Sequence, residues 1–307
     1  MGLRRRLTAL SVDPLWPRAG DWPAPSPNEI PDAALLGVPA WRTSLSPTCA
    51  GETPAAVRAA LRRFSPTLMG PPPVSLDDVL RIVDAGDVTE PDGREGEQRV
   101  RDAVAELSAA RMVIALGGDN SATYAVAQGR RARGLITLDA HFDLRDGESN
   151  GSPVRRLIAD GLDPSRIVQI GIADFANSAA YAQRAHEAGI TVITLDELRS
   201  RGIDTVIADA LRIAGAGSAS ADAGGIHLDV DVDVCDRSVA PGCPASVPGG
   251  LAAWELRALV RGLSRDSGVI SADIVEVDAT ADTADARTVR LAALCVLEIL
   301  AGMAERR

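Results

Sequence analysis

Six short apolar runs, MVIALGGD, GLITLDAH, SRIVQIGIAD, ITVITLDEL, GIHLDVDVDV and VISADIVEVD, recur between residues 112 and 278. They are rich in Val, Ile and Leu and too short for helices, so they read as strands. Helical patterns such as NSAAYAQRAHEAG and AAWELRALVRGLSRD lie between them. Strands that alternate with helices make a parallel sheet with helices on both faces, which is an α/β fold. Upstream, ALLGVPAW reads as a first strand and PAAVRAALRRF as a helix with Pro54 near its first turn. The segment MGPPPVSLDDVLRIVDAGDV holds a Pro-rich loop and a short strand, and EGEQRVRDAVAELSAAR is an amphipathic helix. Residues 1–30 are rich in Pro and Trp and form an irregular lead-in, while 31–307 read as a single domain that no repeat or linker divides.

In a sheet of this kind the site lies at the C-terminal ends of the strands. Polar residues cluster at those ends, in GGDNS, DAHFDLRD, DVDVCD and IVEVDATAD. The run IHLDVDVDVC is the most demanding of them. Period 2 puts Asp229, Asp231 and Asp233 on one face of a half-buried strand and the intervening valines on the other. Like charges that close raise one another's pKa and call for counter-charge. The chain contains no lysine, and the nearest arginine in sequence, Arg237, lies past the strand end. A divalent cation is the economical partner. Asp139, His141 and Asp143 alternate on a second strand end. Such an Asp/His mixture suits Mn²⁺-like ions better than Zn²⁺, which prefers Cys and His. Two ions sharing a bridging water would be the geometry for hydrolysis by a metal-generated hydroxide. Helix capping by aspartate explains one Asp per loop, not three on one strand face.

Composition narrows the function classes. A net charge of −10 argues against nucleic acid or an anionic membrane surface as partner. The absence of lysine excludes Schiff-base chemistry. The four cysteines form no CxxC pair, as expected of reduced thiols in the cytoplasm. MGLRRRLTALSVDPLWP lacks the apolar core of a secretion signal. The longest apolar stretch, LAALCVLEILAGM, is too short to span a membrane and reads as a buried helix. A small-molecule substrate is the expected partner.

The motifs GGDNS, DAHFDLRD, DVDVCDRSVAPG and EVDATAD, in this order, resemble those of the ureohydrolases, the family of arginase, agmatinase and formimidoylglutamase. The likeness runs from LLGVPAW to the C-terminal helix. It implies a three-layer αβα fold around a mostly parallel sheet of about eight strands. It also implies a two-manganese site that hydrolyses a C–N bond of a guanidinium or amidine, and often a homo-oligomer. By this resemblance Asp139 and Asp231 bridge the two ions, Asp143 joins them on the first, and His141 and Asp233 complete the second. Asn120 stands on the first ion where most of the family has histidine, so that site should bind more weakly. Glu276 matches the glutamate that meets the cationic end of the substrate, and Asp236 falls in a supporting position. Asn150 replaces the histidine that serves arginases as proton shuttle. Two further departures are Asp229 for a usual small residue and Arg237 for a usual proline.

The Asn120 motif, DLR and the histidine-free SNGSPVRRL loop resemble formimidoylglutamases most. That implies cleavage of N-formimidoyl-L-glutamate to formamide and L-glutamate, a step in histidine breakdown. Asp233, Glu276 and His141 are then the catalytic residues, with Asp233 passing a proton to the departing nitrogen. The substrate's carboxylates need cationic or polar partners, for which Arg145, Arg155, Asn150 and Ser152 are candidates. Two other readings stand beside this one: a guanidino-acid ureohydrolase that releases urea, and a metal-depleted, non-catalytic binding member of the fold. His186 and His227 are expected to be a surface and a structural residue respectively.

Overall fold

The runs rich in Val, Ile and Leu pair side by side, all parallel, into one eight-stranded sheet. The computed structural model describes residues 11–216 and 224–306. Strands follow as β1 (Ala33–Val38), a two-stranded antiparallel hairpin of β2 (Thr67–Leu68) and β3 (Val74–Ser75), then β4 (Ile82–Asp87), β5 (Met112–Gly117) and β6 (Gly134–Leu138). They continue as β7 (Ile167–Ile172), β8 (Thr191–Thr194), β9 (Ile226–Asp231) and β10 (Val269–Val275). The helices are α1 (Thr53–Leu61), α2 (Leu76–Val79), α3 (Gly93–Glu106), α4 (Ser121–Gly129) and α5 (Pro153–Ala159). After them come α6 (Ala179–Ala188), α7 (Leu195–Arg201), α8 (Ile203–Ala214), α9 (Ala253–Ser264) and α10 (Arg287–Ala304). The fold is the α/β architecture expected, with Pro54 in the first turn of α1. No regular element precedes Ala33 among the described residues. The reading of MGLRRRLTAL falls outside them.

Sheet order places the site. It runs β4-β1-β5-β10-β9-β6-β7-β8. After β5 the chain skips two positions to lay down β6, β7 and β8 outward, then returns to fill the gap with β9 and β10. The order reverses there, and a crevice opens at the C-terminal ends of the strands. The four polar motifs follow β5, β6, β9 and β10, which are the four central neighbours.

The strand of alternating aspartates differs from its expected form in two ways. All six residues of β9 are buried, because helices cover both faces of a parallel sheet. The strand also stops at Asp231, and Val232–Val234 form a turn of 3-10 helix. The Asp231 carboxylate accepts the backbone N–H of Asp233 at 2.9 Å, a local aspartate turn that competes with the ladder and ends it. Asp229 and Asp231 therefore share the strand, whereas Asp233 projects from the turn.

Among the described residues no helix is long and apolar enough to cross a membrane. The apolar C-terminal stretch is α10, whose buried Glu298 pairs with Arg257 and Arg261 of α9. Apart from the pairs made by His141 and His227, arginines supply the cationic partners of the ion pairs among the described residues, as a chain without lysine requires.

Candidate metal centre

Each central strand delivers its side chains within a few residues of its end. Leu138 lies opposite Val230, so Asp139 and Asp231 follow on adjacent strands. Asp231 in turn lies opposite Val275, one residue before Glu276. Glu276 N–H donates to Gly118 O at 2.8 Å, which sets the end of β10 against the loop that carries Asn120. Gly118 is required there, since a Cβ at that position would lie 1.9 Å from Ala40 O. Asp143 and Glu276 both adopt left-handed backbone conformations, with φ of 52° and 61°. Non-glycine residues held this way are strained and persist where the surroundings fix them.

The geometry at the centre is tight. His141 Nδ1 lies 3.0 Å from Asp233 Oδ2 and 3.5 Å from Asp139 Oδ1. One potential ligand atom from each of Asp139, His141 and Asp233 falls within 4.8 Å of the others. Backbone donors orient the carboxylates: His141 N–H reaches Asp139 Oδ1 at 2.7 Å and Ala140 N–H reaches Asp233 Oδ1 at 3.4 Å. Asp139 Oδ2 is buried without any hydrogen-bond partner. His141, Asp143, Asp231, Asp233 and Glu276 line a cavity of about 340 Å³, while Asp139 is fully buried beside His141.

Like charges crowd this floor. Burial and then Asp233 push Asp139 up to about 6. Burial and then Asp119 push Glu276 up to about 8. Burial, with neighbouring carboxylates, holds Asp143 and Asp231 well above the ordinary range. Burial alone would lower His141, but Asp233 and Asp139 outweigh it and push it up to about 12. Burial would raise Asp233, and His141 overrides it and holds it low. Among the described residues no arginine forms an ion pair with any of these carboxylates. An orphaned buried oxygen, clustered carboxylates and one imidazole fit hard divalent cations.

A pH dependence follows. In the metal-free fold Asp139 below about pH 6 and Glu276 below about pH 8 keep protons that the unfolded chain has given up above about pH 4, so unfolding releases protons in that window. Stability must then fall as pH rises from about 4, near the ordinary carboxylate values of 3.8 and 4.5, to about 8. His141, raised from 6.5, contributes stability that is likewise lost as pH climbs above that value. We expect chelator-treated protein to melt at a lower temperature at pH 8 than at pH 5.5. Mn²⁺ should raise the melting temperature more at pH 8, because cations displace these protons. Equal melting curves at the two pH values, with and without Mn²⁺, would count against a cation site here.

The remaining predicted residues separate into two groups. Asn120 lies at the centre, but its amide N–H₂ donates to Asp143 and its oxygen accepts from Thr123 Oγ1. In this orientation it braces the Asp143 carboxylate, and any ligation by its oxygen would require the amide to turn over. Asn150 lines the cavity, and its amide donates to Glu276 Oε1 at 2.7 Å while accepting Leu45 N–H at 2.9 Å. Arg145 lines the cavity, and its guanidinium has no ion-pair or hydrogen-bond partner among the described residues. Ser152 and Arg155 do not face the cavity. The Ser152 hydroxyl is spent on Ser149, and the Arg155 guanidinium donates to the carbonyls of Arg145 and Gly147. Both brace the loop that presents Asn150 and Arg145.

Asp229 sits one step below the centre, in register with Asp273, with neither carboxylate oxygen bonded. His227 is fully buried and bonds Ser271 at 2.9 Å and Asp273 at 3.1 Å. His186 is exposed. Asp236 accepts from Ser238 and Gly249 and holds its own loop. Sequence reasoning passed over Asp119, whose unbonded Oδ2 is buried near Glu276, and Asn177 and Tyr181, which line the cavity. The motif GGDNS contained the first, while the other two sat in a stretch read only as a helix.

The arginase family profile matches residues 31–302. The chain is similar to the formimidoylglutamase of Bacillus subtilis (strain 168), at 32% identity over 90% of this chain and 88% of that protein. It is also similar to the guanidinopropionase of Pseudomonas aeruginosa, at 35% identity over 74% of this chain and 73% of that one. The crystal structure of formimidoylglutamase from Bacillus subtilis superposes with a TM-score of 0.86 at 31% identity, covering 99% of this chain and 97% of its own.

Proposed function

The chain belongs to the arginase family, and we propose that it hydrolyses N-formimidoyl-L-glutamate to L-glutamate and formamide, a step in histidine degradation. One observation carries this reading. The cavity pairs an anionic floor, built for cations, with an arginine on its wall that no protein carboxylate occupies. A cationic amidine tethered to a carboxylate matches both ends. The similarity to a formimidoylglutamase supports the same choice.

Asp139, His141, Asp143, Asp231 and Asp233 would hold two divalent ions, manganese in this reading, with Asn120 steadying Asp143. When bound, the ions supply a water activated at neutral pH and polarise the amidine. Glu276 has one oxygen, Oε1, fixed by Asn120 N–H at 2.9 Å and by Asn150. The other carboxylate oxygen is left to receive the amidinium N–H groups through a charge-assisted bond. Asp233, bonded to His141, would take the proton lost by the attacking water and hand it to the departing nitrogen. A C–O bond forms at the formimidoyl carbon, its bond to the glutamate nitrogen breaks, and that nitrogen leaves protonated. Asn150 is an orienting group here and not a proton carrier. The enzyme works in the cytoplasm as a homo-oligomer in this reading, its thiols reduced; the four cysteines are unpaired.

The similarity to guanidinopropionase keeps a guanidino-acid substrate as the second reading. Product analysis decides between them. Protein reconstituted with Mn²⁺ should release formamide from formimidoylglutamate and no urea from 3-guanidinopropanoate, 4-guanidinobutanoate, agmatine or arginine. Urea from any of these would move the assignment to another branch. Silence on all of them, with no bound metal, would favour a binding role.

A further inference from the structure

N-Formimidoyl-glutamate carries two carboxylates, and the unpartnered Arg145 can take only one of them bidentately. The cavity wall away from the ion-binding floor offers few other free donors. The Asn177 amide is consumed by Ala140 O, Ala173 O and Phe142 N–H. The Ser178 hydroxyl caps α6 by accepting Tyr181 N–H, which ties its oxygen to the helix and leaves its own O–H able to donate. Asn150 is committed to Glu276 and Leu45. Tyr181 and Ser46 also line the cavity with hydroxyls that have no partner among the described residues, and of the two Tyr181 is the one tied to the Arg145 loop, through Arg184.

The Tyr181 ring has a cationic neighbour. The Arg184 guanidinium lies over it at 5.4 Å from the centroid, within cation–π range. The same guanidinium donates to Leu144 O at 2.7 Å and to Asp146 Oδ1 at 2.9 Å. Leu144 and Asp146 flank Arg145 in the chain. One clamp therefore fixes both the loop that presents Arg145 and the ring that presents the Tyr181 hydroxyl.

We infer that Tyr181 is a specificity-determining residue whose hydroxyl binds the second carboxylate of a dicarboxylic substrate, with Arg184 as the positioning residue that sets its spacing from Arg145. This rests on the proposed substrate and assigns its two acid groups to two separate donors. The enzyme so built selects amidines of amino dicarboxylic acids over those of monoacids.

The test uses the Mn²⁺-loaded full chain and calorimetric binding of L-glutamate, 4-aminobutanoate and 2-aminobutanoate, which present both carboxylates or one of the two. Tyr181→Phe removes only the hydroxyl. Glutamate and the monoacid that keeps the Tyr181-bound carboxylate should each bind roughly 10- to 100-fold more weakly, the loss expected for a hydrogen bond to a charged group. The other monoacid should bind variant and wild type alike. On formimidoylglutamate, KM should rise far more than kcat falls. Unchanged glutamate binding in the variant would overturn the inference, as would equal weakening for all three acids or no preference for glutamate in the wild type. Failure to turn over formimidoylglutamate while that preference persists would sink the proposed substrate and leave the two-carboxylate subsite standing.

Discussion

Replacing Asp139 with Asn should abolish turnover, lowering kcat/KM by about 10³-fold or more, on the order of 4 kcal/mol. The side chain is fully buried, and only Oδ1 has a protein partner, the His141 N–H. An asparagine can keep that bond through its own oxygen, so the loop after β6 should retain its shape. What it cannot supply is the negative charge and the unoccupied Oδ2, the two properties that suit this position to a shared ligand. Mn²⁺ should accordingly stop raising the melting temperature. The metal-free variant should melt no lower than metal-free wild type at pH 8, because one charge has left a crowded set. That combination separates a ligand from a merely structural residue. Turnover within tenfold of wild type, with Mn²⁺ stabilisation intact, would remove Asp139 from the centre.

Glu276→Gln is expected to lower kcat/KM by about 10²- to 10³-fold, within the 2–5 kcal/mol typical of removing one partner of a buried charge pair. The glutamine oxygen can still accept from Asn120 N–H and Asn150 as Oε1 does now. The local structure should survive, left-handed backbone included. The loss should appear for cationic amidine substrates, while Mn²⁺ affinity stays close to that of wild type. A variant that binds and cleaves formimidoylglutamate normally would show that the amidinium is met elsewhere.

Much of the architecture was readable from the chain. Strand runs separated by helical patterns close as parallel pairs, so the parallel sheet and its polar strand ends followed from β-branched content and spacing, while the family resemblance implied the count of about eight strands. The crowding of Asp229, Asp231 and Asp233 without lysine pointed to a cation for electrostatic reasons alone. Details that depend on one hydrogen bond did not follow. Asp233 leaves the strand because Asp231 accepts its N–H, and periodicity has no signal for that exchange. Asp229 keeps the strand and ends up beside Asp273, below the centre rather than in it.

The substrate-facing side chains show the same division. Arg145, Arg155, Asn150 and Ser152 stand within eleven residues of one another and look equivalent in sequence. The loop decides among them, spending Arg155 and Ser152 on its own carbonyls and leaving Arg145 free. Tyr181 lies 36 positions beyond Arg145, in a helix whose pattern records only which face is buried. Its place at the cavity comes from the sheet order, which sets the loop after β7 beside the loop after β6.

By itself the sequence determined the parallel α/β sheet, the strand ends that carry the acidic motifs and the demand for cations there. Those properties are local, since they rest on period, composition and charge along the chain. Only the tertiary structure decided which oxygens remain unbonded, which arginine is unpaired and which distant ring completes the wall. Those depend on hydrogen bonds and contacts between segments far apart in sequence, which exist only once the chain has closed around the crevice.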